Sequence, residues 1–413
     1  MRILHVIGDS AYGGGSKIIC AVAVASQRAG HDVAVLTTSP RFHEVLAAAG
    51  VPVLDRDWIR RRPDPWTDLR GVAGLTAHLR RERYDLVHTH TTRGGMLGRL
   101  AARRARTPWV VHTAHGFAVA ESDAAWKQSA YFALERLAAR WCDEVVTVSA
   151  HHGRWAAAYG VRPRAGLRVI PNGVPDAVPD AVPGAVPDAA PAATTPAATT
   201  PAAARSGGTP CLLHFGRIAD GKGIDVLLAA VARLHARLPV AERPRLLVAG
   251  DGPAVAQERA RATALGLGDA VTWLGQRDDL PTLLYAADLV VLPSRREGLS
   301  LALLEAMAAG RPIVASALGG NAEALDGGRC GVLVPPGDPR ALTEAMADLL
   351  AHPDRARALA AAARGRYLDA YRLERMVDDY LALYAEAAVA SASGPVASIP
   401  GGRWPSVARN ARR

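Results

Sequence analysis

Two carboxylates eight positions apart mark the stretch SRREGLSLALLEAMAAG, residues 294–310: Glu297, directly behind Arg295 and Arg296, and Glu305, inside an apolar run. A charge among leucines and alanines is costly to bury unless a ligand or a basic group meets it. Neutral hydroxyls, of a sugar or a ribose, are groups that a carboxylate can grip without being neutralised. Glu297 by itself has a plainer reading, an acid placed favourably at a helix N-terminus. Upstream, HFGRIADGKGIDVLLAA holds Arg217 just after a strand and Lys222 at the start of the next helix. Two fixed cations beside a helix N-terminus make a site for a diphosphate. Near the start, YGGGSKI offers Gly13, Gly14 and Gly15, whose bare backbone lets a ligand approach ahead of another helix. The pattern is not G-x-G-x-x-G, and no acidic residue closes the following strand, so a nicotinamide dinucleotide is disfavoured.

Histidines form the other cluster. His88 and His90 alternate onto one face of a strand, and His112 and His115 end the next. Four such side chains raise a zinc site, but no carboxylate follows at ligand spacing, and strand-end histidines also serve as hydrogen-bond donors. His115, followed by Gly116, is the best placed to point into a cleft.

The elements that must position these residues are short. RILHVI (2–7), HDVAVLTT (31–38), YDLVHTH (84–90), TPWVVHTAHG (107–116) and CDEVVTVSA (142–150) read as strands, with helical patterns such as 16–30 and 126–141 between them. The alternation implies parallel βαβ units in a doubly wound sheet, which binds ligands beyond the carboxyl ends of its strands. From Pro175 to Ala204 the chain becomes a Pro/Ala repeat of period four, then five. Its prolines favour an extended linker reaching about 90 Å. The α/β alternation then restarts, with strands at 209–216, 244–252, 270–275, 287–294 and 312–317.

The 413 residues suit two such domains, and 49% hydrophobic content with 5% aromatic suits aliphatic cores. A net charge of +10 favours an anionic partner without choosing among nucleic acid, a membrane surface and a phosphorylated substrate. Cys20, Cys142, Cys211 and Cys330 form no C-x-x-C pair, which suits a reducing compartment. The first residues lack a signal-peptide core, and no apolar run approaches the roughly 18 residues that span a bilayer, so a cytoplasmic protein is expected.

In this order the motifs resemble the family-4 retaining glycosyltransferases of the GT-B fold, over nearly the whole chain apart from the linker and tail. The resemblance rests on the glycine-rich first loop, V-H-T-H (87–90), T-A-H-G-F (113–117), I-P-N-G-V (170–174), G-R-x-x-x-x-K-G (216–223), P-S-R-R-E-G (293–298) and the spacing of Glu297 to Glu305. It implies two Rossmann-like domains facing across a cleft. An acceptor-side domain would span 1–172, a linker 173–208, and a nucleotide-sugar-binding domain 209–370. A helix over 371–390 would cross back onto the first domain, and a disordered basic tail would fill 391–413.

The resemblance also assigns roles. Arg217 and Lys222 would hold the donor's diphosphate, Glu305 the ribose hydroxyls, and Glu297 the donor sugar, with the backbone of Gly298, Leu299, Ser300 and Leu301 beside it. His115 would face sugar and phosphates, and Gly14 and Gly15 would line the cleft. Ser16 stands where the family often has an acid. No D-x-D lies in a suitable turn, so the cations and helix dipoles would replace a metal, and no cofactor is expected. The implied reaction moves a hexosyl unit from a nucleotide-diphosphate sugar, with UDP favoured by a likeness to capsular and exopolysaccharide members. The acceptor would be a glycan, a lipid-linked or a small-molecule hydroxyl, and the basic charge is compatible with contact to an anionic inner membrane face. An epimerase or phosphorylase of the same fold, and a non-catalytic nucleotide-sugar binder, are the competing readings. A nucleic-acid partner has only the net charge behind it.

Overall fold

The computed structural model describes residues 1–9, 12–176 and 209–392. Within them the aliphatic runs become parallel strands buried on both faces, as parallel sheets covered by helices require. The first sheet holds β1 (Arg2–Gly8), β2 (Asp32–Thr37), β3 (Val53–Leu54), β4 (Leu86–His90), β5 (Trp109–Ala114), β6 (Glu144–Thr147) and β7 (Gly166–Val169), in the order β3-β2-β1-β4-β5-β6-β7. The second holds β8 (Cys211–Phe215), β9 (Arg245–Ala249), β10 (Val271–Gly275), β11 (Leu289–Leu292), β12 (Ile313–Ser316) and β13 (Val332–Val334), in the order β10-β9-β8-β11-β12-β13. Sequence patterning missed β3, β7 and β13, which are two to four residues long and lie at or beside sheet edges, where little apolar surface needs covering.

Each sheet is packed on both faces. One face of the first carries the helix Gly14–Arg28 through Ile18, Ile19 and Val22, together with Met376, Tyr380, Leu383 and Tyr384 of the helix Leu373–Ala392. The helix Leu373–Ala392 therefore contributes to the core of the first domain although it follows the second in sequence. The chains cross where the Val174 N–H donates to the Tyr371 carbonyl and the Leu373 N–H to the Val174 carbonyl, both at 3.0 Å. Gly173 is needed there, since a Cβ would lie 2.4 Å from the Arg372 carbonyl oxygen. This helix begins and ends two residues later than the 371–390 expectation. Residues 177–208 of the expected linker and 393–413 of the expected disordered tail lie outside the described residues.

The domains also touch directly. The Glu323 carboxylate accepts the N–H groups of Ala150 and His151, at 2.9 and 2.8 Å, at the start of a first-domain helix. The Asn172 amide donates to the Leu299 carbonyl at 3.0 Å, and Arg296 donates to the Ala118 carbonyl at 3.2 Å. Among the described residues no helix is long and apolar enough to cross a membrane.

Candidate active site

In each sheet the strand order reverses once, between β1 and β4 and between β8 and β11. Loops diverge at such points and leave a crevice beyond the strand ends. The loops after β1, β5, β8 and β11 carry the candidate residues, and the two crevices face each other across one cavity of about 650 Å³. Its walls include Gly14, Gly15 and His115 from the first domain, and Arg217, Lys222, Glu297, Gly298, Leu299, Ser300, Leu301 and Glu305 from the second. Every residue that the resemblance assigned to the donor site is brought to this one hollow.

Lys222 and Glu297 meet because their loops are clamped. Gly223 has φ +70°, and a Cβ on it would fall 2.1 Å from the Pro293 carbonyl oxygen, so only glycine lets the turn Asp220–Lys222 press against the end of β11. The Arg295 N–H donates to the Gly221 carbonyl at 2.9 Å, and the Arg295 guanidinium forks onto Asp225 at 2.7 and 2.6 Å, holding that carboxyl below its usual range. With the loops fixed, the Lys222 ammonium lies 2.5 Å from Glu297 Oε1, which also accepts the Ser294 hydroxyl at 2.8 Å. Arg217 is exposed and pairs with no carboxylate among the described residues, leaving its five donors for an anion.

Glu305 lies one turn into the helix Leu301–Ala308, which Ser300 caps by accepting the Leu303 N–H at 3.4 Å. Burial raises the Glu305 pKa, and Lys17 of the first domain opposes that shift, its ammonium 3.3 Å from Oε1. The basic group that the sequence argument demanded thus comes from the opposite domain. Two further approaches bring the walls together. A Cβ on Gly298 would lie 2.0 Å from the His115 carbonyl oxygen, and one on Gly14 would lie 3.1 Å from Leu301 Cδ1.

His115 heads a file of imidazoles. Its Nε2 lies 3.2 Å from His90 Nδ1, and His90 Nε2 lies 3.1 Å from His5 Nδ1, with both pairs of rings stacked. His88 is held between the Tyr384 hydroxyl at 2.6 Å and the Thr113 hydroxyl at 2.7 Å. Burial lowers the His115 pKa to about 4 and that of His5 to about 3, and pushes His88 and His90 well below the usual value, so all four are neutral at pH 7. The four strand-end histidines do not converge as one ligand set. His112 turns to Thr89 at 3.0 Å, and the histidines whose ring nitrogens cluster are His5, His88 and His90, buried behind the cleft.

Two family models match the chain in tandem. A glycosyl transferase 4-like domain covers residues 13–173, and a domain of the glycosyl transferases group 1 covers residues 209–352. A D-inositol 3-phosphate glycosyltransferase of Geodermatophilus obscurus is 34% identical over 333 residues, which span 77% of this chain and 70% of that protein. The chain belongs to the family-4 glycosyltransferases. An Escherichia coli UDP-Gal:alpha-D-GlcNAc-diphosphoundecaprenol alpha-1,3-galactosyltransferase is 29% identical over 62% of this chain and 63% of its own. The GT-B fold is shared with HepE of Anabaena, solved with UDP-glucose, at a TM-score of 0.74 and 22% identity over 94% of this chain and 100% of that one. Sucrose-phosphate synthase of Thermosynechococcus elongatus aligns at a TM-score of 0.75 and 25% identity over the same shares. This glycosyltransferase therefore uses a nucleotide-sugar donor.

Lys17, Asn172, His214, Arg277 and the Gly250–Gly252 turn also line the transferase cavity and were not singled out. For Asn172 a signal existed, since I-P-N-G-V sits where the chain leaves the first domain. For Lys17 none did: a lysine in the first turn of an amphipathic helix reads as solvated.

Proposed function

We propose that this transferase moves a hexosyl unit, with retention, from a UDP-sugar to a hydroxyl acceptor, using fixed cations rather than a metal. The observation that carries the reading is that Arg217, Lys222 and Glu297 share one inter-domain cavity with Glu305. As the sugar–diphosphate bond breaks, negative charge grows on the departing phosphates. Arg217 and Lys222 stabilise it as preorganised donors, a type of contribution that is often the largest in catalysis. Glu305 takes the ribose hydroxyls, and the start of the helix Leu301–Ala308 offers backbone N–H groups to the donor.

Glu297 already accepts Lys222 and Ser294, which favours a role in orienting the donor sugar over attack on it as a nucleophile. Double displacement needs a second carboxylate close to the bond. A front-side attack, in which the acceptor hydroxyl passes its proton to the leaving phosphate, fits the set better. His115, neutral and tied to His90, supplies a hydrogen bond to sugar or phosphate from the first domain, and closure of the two domains excludes water.

The acceptor sits on the first domain, where a second cavity of about 320 Å³ opens between Gly15, Thr91, His115, Phe117 and Tyr131. UDP is favoured by the donor in HepE and by the UDP-Gal in the name of the Escherichia coli relative. Relatives 32% and 34% identical over more than three quarters of this chain carry D-inositol 3-phosphate in their names, so the narrower likeness to capsular and exopolysaccharide members has little support. Contact with an anionic membrane has a surface to rest on. On the helix Ala125–Ala139, Trp126, Leu134 and Leu137 are 69%, 55% and 43% exposed, while its one carboxylate, Glu135, turns inward to Arg99 at 2.9 Å.

The test is a thermal-shift panel of UDP, GDP, ADP and their sugars, followed by nucleotide release with the best donor. UDP and a UDP-hexose are expected to raise the melting temperature most. Stabilisation by none of them, or release equally fast without any acceptor, would refute the reading.

A further inference from the structure

Lys17 and Glu305 join the two domains across the mouth of the donor cavity. Lys17 lies in the first turn of the helix Gly14–Arg28, one turn beyond the glycines that line the hollow, and Glu305 lies in the facing helix of the second domain. The ammonium is 3.3 Å from Oε1, with the lysine side chain 54% exposed and the glutamate 19%. The pair is unequal. Glu305 is fixed in a helix and largely removed from water, whereas Lys17 swings on a four-carbon stem with three rotatable donors.

We infer that Lys17 is a donor-phosphate residue of the first domain that exchanges partners during binding, leaving Glu305 to the ribose and moving onto the diphosphate. The inference rests on the reading of Glu305 as the ribose ligand. A ribose diol gripped by one carboxylate uses both oxygens, so the diol and the Lys17 ammonium compete for Oε1. A nucleoside diphosphate brings the diol together with the anion that best accepts a displaced ammonium, and Lys17 already borders the hollow with Arg217 and Lys222. A nucleoside brings only the diol. The ion pair therefore opposes binding of a nucleoside and is recovered, on a new partner, by a nucleoside diphosphate. Since Lys17 and Glu305 lie in different domains, the exchange also ties the closing of the cleft to the presence of phosphates.

The variant Lys17→Met keeps the stem and removes the charge. Wild-type and variant proteins are titrated with uridine and with UDP by calorimetry, GDP and ADP with their nucleosides serving if one of those binds tighter. The expected result is a crossing. The nucleoside binds about threefold tighter to K17M, the gain from losing a half-exposed ion pair. The diphosphate binds about tenfold weaker, the loss of one charge-assisted contact. Effects of the same sign on both ligands, or no effect on the diphosphate, overturn the assignment of Lys17 while leaving the donor reading intact. Wild-type protein that binds none of the three diphosphates removes the donor reading and this inference with it. The wild type alone gives a second measure should K17M fold poorly. Between 50 and 300 mM salt uridine affinity should rise and UDP affinity should fall, and parallel falls count against the exchange.

Discussion

At the scale of single residues, the cleft is built from charges given fixed partners. Lys222 is held by Glu297 and Arg295 by Asp225, while Arg217 keeps its donors free among the described residues. Such charges are costly to place and need no reorganisation when negative charge develops beside them. Lys222→Ala removes one of the two cations proposed to stabilise the leaving group and leaves Glu297 without its ammonium. Turnover is expected to fall by more than about tenfold, with a smaller change in donor affinity. If the reaction is metal-independent as proposed, EDTA is expected to change the wild-type rate little. Strong EDTA inhibition reversed by added Mg²⁺ or Mn²⁺ would contradict this. The residue types were readable from sequence, since Arg217, Lys222 and Glu297 all follow strands. Their pairing was not, because the contact depends on Gly223 letting one loop press on Pro293.

At the scale of elements, the longer strands were recognisable, most of them buried on both faces, whereas the shortest, half-buried ones were obscure. β4, β8 and β11 are continuous aliphatic or histidine-bearing runs, whereas β3 and β7 are short and only half-buried. The helix Ala125–Ala139 shows the reverse case, an element whose outer face is more apolar than a solvated face needs. Trp126, Ala130, Leu134 and Leu137 follow a helical spacing along it, with Lys127 set 5.7 Å over the Trp126 ring. Tyr131 of the same helix lines the cavity proposed to take the acceptor, so on that proposal a lipid-linked acceptor would reach the site from this face. Sedimentation with phosphatidylglycerol vesicles should exceed that with phosphatidylcholine vesicles, and Trp126→Ser with Leu134→Ser should abolish the excess without lowering the melting temperature. Equal recovery of the double variant and wild type with the anionic vesicles would argue against this face.

At the scale of the whole molecule, the first domain is completed by a helix from the other end of the chain, and its core contains charge-capable side chains kept neutral. His5, His88, His90 and His112 are buried in the first sheet with pKa values lowered by desolvation, and His152 and His214 are lowered to about 4. In the unfolded chain each titrates near 6.5, so below that pH the unfolded state binds more protons and stability falls. One such histidine contributes a loss of about 2 kcal/mol by pH 5. The melting temperature should therefore drop between pH 7.5 and pH 5, and a flat profile over that range would show that these rings are not held neutral. By itself, the sequence determined two doubly wound domains and the residues at their strand ends, because strand period and loop chemistry are local properties. Only the tertiary structure decided that Lys17 faces Glu305, that His115 is tied through His90 to His5, and that Tyr384 braces His88. Those contacts join residues tens to hundreds of positions apart, and their partners are chosen by how the two sheets and the returning helix pack.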